Sequence, residues 1–115
     1  MQIEGKIFEK SAKSFYGAIV GSCPAYEGKA IALEEGQQMY FLMKDERVIA
    51  TRYYEQGCLM SVAYTPIHNE YQVSVMEKCC IYLKSGQPLG AHRTYMLPRG
   101  TQVQVKDGEY RFLLA

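Results

Sequence analysis

The sequence predicts an all-β fold, an antiparallel β-sandwich, on three observations. Turn signals built from Gly, Pro, Asn and Asp recur about every 8–12 residues, the spacing at which short strands fold back on one another. The stretches between them alternate apolar and polar residues or form short apolar runs, as in Tyr71-Gln72-Val73-Ser74-Val75. Neighbouring side chains of a strand point to opposite faces, so such alternation buries one face and wets the other. No window keeps helical spacing across three turns, and the ten tyrosines and four phenylalanines suit pleated, half-buried surfaces.

Taken in order, residues 17–21 form a short apolar run that ends in a turn carrying Pro24 and Gly28. Residues 29–33 alternate, and Glu34-Glu35-Gly36 turns the chain into a strand over 39–43. Residues 59–64 lead into the polar hairpin loop Thr65-Pro66-Ile67-His68-Asn69-Glu70, and residues 71–75 return. Residues 80–83 follow. A short strand, a Pro98-Arg99-Gly100 turn, a strand over 102–105, a Lys106-Asp107-Gly108-Glu109 hairpin turn and a last strand over 110–114 close the chain. The expectation is about ten to twelve short strands and no helix longer than about two turns. Ile19, Ile31, Leu33, Phe41, Val62, Val73, Ile81, Val103 and Phe112 hold the apolar phases and are the expected core. Residues 1–14 are more polar and read as an extra strand or arm ahead of a domain over 15–115.

Composition narrows the function. A chain of 115 residues, 48% hydrophobic and 22% charged, has the make-up of one globular domain. Its net charge of +1 and scattered Lys and Arg offer no basic field, so no nucleic-acid partner is expected. No apolar run approaches the roughly 18–20 residues that span a bilayer. The opening Met1-Gln2-Ile3-Glu4-Gly5-Lys6 lacks the layout of a signal peptide, and the reading is a cytoplasmic domain. Of the four cysteines, Cys79 and Cys80 are adjacent and point to opposite faces of a strand, while Cys23 and Cys58 are isolated. They read as reduced thiols that hold neither a disulfide nor a metal.

Nucleophilic catalysis needs a nucleophile beside a base. Cys58 with His68 or His92 is the one Cys/His pairing to weigh, and a packed strand cysteine with solvated loop histidines is the plainer reading. Glu34-Glu35 and Asp45-Glu46 read as polar loop residues, lacking the burial that tunes a carboxylate for catalysis. No Gly-rich phosphate loop precedes a helix. The chain reads as a non-enzyme with no cofactor.

The most specific stretch is the tail, Gly86-Gln87-Pro88-Leu89, then Leu97-Pro98-Arg99-Gly100-Thr101-Gln102-Val103-Gln104-Val105, then Lys106-Asp107-Gly108-Glu109-Tyr110-Arg111-Phe112-Leu113. It resembles the last third of a forkhead-associated (FHA) domain. The front end is similar as well: Gly17-Ala18-Ile19-Val20 to Ala30-Ile31-Ala32-Leu33 resembles the family's first hairpin, and Gly36-Gln37-Gln38-Met39-Tyr40-Phe41-Leu42 its next strand. The resemblance covers about residues 15–114 in matching order. It implies an FHA-like sandwich that binds another protein or a peptide.

The departures bear on function. The family holds phosphothreonine through a Gly-Arg after the third strand, a Ser-x-x-His on a later loop and an Asn-Gly further on. Here those positions read Met43-Lys44, Gln56-Gly57-Cys58-Leu59 and Cys79-Cys80. Lys44 is a point charge without the planar fork of guanidinium, and the nearby guanidiniums are Arg47 and Arg52. A ligand surface is expected on the loops carrying Lys44, Arg47, Arg52, Gln56, Gly57, Cys58, Lys78, Cys79 and Cys80. The leading reading is an FHA-like interaction or assembly module that does not depend on phosphothreonine. Two alternatives stay open: a phosphopeptide binder using Lys44 with Arg47 or Arg52, and a small-molecule binder or enzyme on an unrelated β-barrel.

Overall fold

The computed structural model of the chain describes residues 17–34, 36–78, 80–105 and 108–115. Within them run ten strands: β1 (Gly17–Gly21), β2 (Ala30–Leu33), β3 (Gln38–Lys44), β4 (Arg47–Thr51), β5 (Cys58–Thr65), β6 (Glu70–Val75), β7 (Ile81–Leu83), β8 (Arg93–Pro98), β9 (Thr101–Val105) and β10 (Tyr110–Leu114). The helical content of the described residues is one 3-10 turn, Pro24–Tyr26. The expected residues 1–14 arm lies outside the described residues.

Two five-stranded sheets form, ordered β2-β1-β10-β9-β7 and β4-β3-β5-β6-β8. Every pairing is antiparallel. The alternation read from the sequence decides which side chains meet between them. From the second sheet Met39, Phe41, Met60, Val62, Tyr71, Val73 and Val75 point inward; from the first Ile19, Leu33, Ile81, Val103, Val105, Phe112 and Leu114 do. Phe41 and Phe112 meet across the layers with ring centroids 4.8 Å apart. Burying each such side chain stabilises by about 1.5–3 kcal/mol. Eight of the nine expected core residues are buried; Ile31, on the edge strand β2, is half-buried against the margin of the core.

One expected loop is a strand. Arg47–Thr51 pairs with β3, Lys44 opposite Arg47 and Tyr40 opposite Thr51, joined by the two-residue turn Asp45-Glu46. Both turn residues have positive φ, 52° and 63°. Such a turn is usually marked by Asn-Gly or Asp-Gly, because left-handed backbone is costly for residues with a Cβ. The mark is missing here, and so the sequence hides the hairpin. Between Phe41 and Leu42 the β3–β5 register slips: Phe41 opposes Met60 while Leu42 opposes Cys58. Leu59 is the extra residue of this bulge, and it enters the core together with Met60.

The two sheets are tied at one end by a polar cluster. The buried Tyr71 hydroxyl of β6 accepts from the Ala18 amide of β1 at 2.7 Å and donates to the Ala115 carbonyl oxygen. Beside it the Tyr64 hydroxyl donates to Asn69 Oδ1 at 2.6 Å. Arg99 sits over the Tyr64 ring, 4.9 Å from its centroid, and donates to Asn69 Oδ1 at 2.7 Å and to the Ala115 oxygen at 2.8 Å. Arg99 belongs to the two-residue link Arg99-Gly100, which carries the chain from β8 in one sheet to β9 in the other. Gly100 adopts φ 88°, a conformation glycine takes at little cost. Gly17 starts β1 in the same place because a Cβ there would stand 2.8 Å from the Tyr64 ring.

Candidate functional site

The registers place three segments together at the end opposite this cluster. The Asp45-Glu46 turn closes β3 and β4; residues 55–57 lead up to Cys58, which opposes Leu42; and residues 76–78 leave β6 after Val75, which opposes Met60. Most of the sequence-predicted ligand surface collects there. Lys44 and Arg47 are exposed strand ends flanking the turn; Gln56, Gly57 and Lys78 are exposed loop residues. Cys80 is half-buried in the following loop, and Cys79 lies outside the described residues.

Two of the named residues sit elsewhere. Cys58 is the first residue of β5 and is 4% exposed, its Sγ donating to the Met60 carbonyl at 3.2 Å. Burial pushes the thiol pKa up, against the smaller opposing pull of the backbone around it. A neutral, hydrogen-bonded thiol of this kind is a packing group rather than a surface ligand or nucleophile. Arg52 follows Thr51, which opposes Tyr40, four residues back along β3 from Lys44. At strand rise that is about 13 Å away. Arg52 therefore stands apart from Lys44 and Arg47, on the outer face of its sheet beside Tyr40, Gln38 and Tyr53.

The charges at the loop end balance locally. Lys44 and Arg47 flank Asp45 and Glu46, all four exposed. An incoming dianionic phosphate meets two cations and two carboxylates within one hairpin tip. Screening and solvent weaken what attraction remains. His68 lies in the Pro66–Asn69 turn after β5, the full strand away from Cys58, about 23 Å at strand rise. Cys23 and Cys58 are free thiols, and no three His, Cys, Asp or Glu side chains among the described residues are grouped to hold a metal.

Sequence reasoning did not find two adjoining depressions on the outer face of the β4-β3-β5-β6-β8 sheet. One, about 380 Å³, is bounded by Ala63, Thr65, Ile67, His68 and Gln72; the other, about 360 Å³, by Tyr40, Arg52 and Tyr53. Gly36 and Gln38 line both. The available signal was Ile67, an apolar residue inside an otherwise polar hairpin turn, and it is 88% exposed.

No protein-family profile and no curated protein matches this sequence. Among solved structures, the chain is similar to the FHA domain of the CT664 protein from Chlamydia trachomatis. The TM-score is 0.62 at 15% identity, covering 88% of this chain and 97% of that one. At that identity the likeness is one of fold: the chain folds as an FHA-like sandwich.

Proposed function

We propose that this FHA-fold domain is a protein-interaction or assembly module whose binding does not depend on phosphothreonine. The observation that carries the reading is the loop end itself. Where the family keeps Gly-Arg, this chain puts Lys44 at the base of a turn whose own carboxylates, Asp45 and Glu46, offset it. Where the family keeps Ser-x-x-His, it has Gln56, Gly57 and a thiol turned into the sheet. Phosphate selectivity needs several charge-assisted hydrogen bonds acting at once, and Lys44 and Arg47, each set beside an exposed carboxylate, supply too few.

The test uses Lys44→Ala. As an exposed substitution it should alter stability by less than about 0.5 kcal/mol. Phosphorylated and unphosphorylated forms of the same peptides are titrated against wild type and variant at low and high salt. The reading expects no phosphate preference and little change on substitution. A phosphate-dependent affinity that Lys44→Ala removes, most strongly at low salt, overturns it and favours a phosphopeptide site.

A further inference from the structure

The large apolar side chains left exposed among the described residues are Tyr53, Tyr54, Ile67 and Met96. All four gather on one face. Tyr54 meets the outward-pointing Tyr40 edge-on at 5.8 Å, Tyr53 and Ile67 line the two adjoining depressions, and Met96 stands opposite Gln72, which lines one of them. Met96 and Gln72 are direct cross-strand partners, and such partners share a face. The loop end, by contrast, is charged and carries none of these side chains. Contiguous exposed apolar surface on a small domain marks an interaction site.

The polar groups of the trench give it a sign. Its described lining residues include the Arg52 guanidinium at one end and the His68 imidazole at the other, with Gln38 and Gln72 between. Glu70, the cross-strand partner of Thr65, shares this face at the His68 end, so the positive charge sits at the Arg52 end. Glutamine side chains offer both donor and acceptor to a peptide backbone, and guanidinium matches a carboxylate with two parallel hydrogen bonds. From β4 to β6 the trench crosses three inter-strand steps, about 14 Å, which is the length of about four extended residues.

We propose that this outer face is a docking trench for an extended segment of a partner protein, apolar on either side of one acidic residue whose carboxylate meets Arg52. The proposal rests on the reading of the domain as an interaction module, and adds a surface away from its loop end. The apolar flanks cover Tyr53 at one end and Ile67 at the other, while the glutamines hold the backbone between them. A plain glutamate suffices, so this docking is phosphate-blind.

The experiment is an amide-resolved NMR titration of the full chain with two blocked hexapeptides, one carrying a glutamate between leucine and phenylalanine, the other a lysine in its place. The glutamate peptide should shift the amides of Gln38, Arg52, Tyr53, Ile67 and Gln72, and bind about five-fold more tightly than the lysine peptide at low salt. Arg52→Glu, an exposed exchange, should reverse that preference, and Ile67→Ser should weaken both peptides. Equal affinity for the two peptides, or the absence of shifts at millimolar concentration, overturns the proposal. Shifts confined to residues 44–47 and 76–80 overturn it while leaving the interaction-module reading standing. Self-association in sedimentation that Ile67→Ser abolishes assigns the face to a second copy, and relief of a blocked trench on deleting residues 1–16 assigns it to the chain's own start; either result refutes a partner peptide.

Discussion

Replacing Tyr71 by Phe should cost about 2 kcal/mol of folding stability, because its hydroxyl joins the two sheets. The ring is fully buried, and Phe keeps its shape and its contact with Tyr64, 5.3 Å between centroids. The loss is confined to the hydroxyl. Its oxygen takes the Ala18 amide proton at 2.7 Å, and its own proton goes to the Ala115 oxygen. An intramolecular hydrogen bond contributes about 0.5–1.5 kcal/mol, and a buried donor left without a partner costs about 1–3 kcal/mol. Arg99 still reaches the Ala115 oxygen at 2.8 Å, so that acceptor stays satisfied and the Ala18 amide carries most of the loss. For a domain near 100 residues, 2 kcal/mol lowers Tm by about 8–16 °C. The chain has no tryptophan, so urea and thermal unfolding are best followed by far-UV circular dichroism. Tyr53→Phe, at an exposed position, is the control and should change stability by less than about 0.5 kcal/mol. A Tyr71→Phe loss no larger than the control's refutes the idea that this hydroxyl holds the layers together.

Two further outcomes follow from local geometry. Glu46→Gly should stabilise by about 0.5–1 kcal/mol in urea unfolding, since Glu46 sits at φ 63° and relief of its left-handed backbone exceeds the entropy glycine gives back. Stability should also fall at alkaline pH. Burial raises the Cys58 thiol above its ordinary 9.0, and it raises Tyr71 above 10.0 despite the opposing Ala18 amide and Arg99 charge. Both are neutral in the fold, so their contribution is whole below the ordinary values and is lost as pH rises through the folded ones. Urea midpoints should therefore hold to about pH 9 and decline beyond it, and Cys58→Ala should remove the earlier part of the decline.

The sandwich is legible in the sequence because strands such as β6 and β10 alternate strictly, while β3 and β5 show as apolar runs bounded by turns. Val73 and Val75 on β6 and Val103 and Val105 on β9 announce their faces without help from tertiary context. β4 is not legible, for its turn uses Asp45 and Glu46 where a glycine signal is expected, and its inward residues, Val48 and Ala50, give little contrast with Ile49 between them. Only part of β8 is legible: it is an edge strand exposed along most of its length, and Arg93, Thr94 and Met96 show no buried phase. At the site, the segments that meet could be named from their order along the chain. Depth could not. The bulge at Leu59 and the covered outer position of Cys58 depend on how β5 registers with β3, which no local pattern states. Arg52 was drawn to Lys44 by closeness in sequence, and the hairpin carries it about 13 Å back down the sheet.

The most direct test of the account is the affinity of one bound partner peptide measured by calorimetry in its threonine and phosphothreonine forms. The two should agree within about three-fold, under 1 kcal/mol, with the unmodified peptide binding on its own. Binding only by the phosphothreonine form, at an advantage of about ten-fold or more that Lys44→Ala erases, contradicts it.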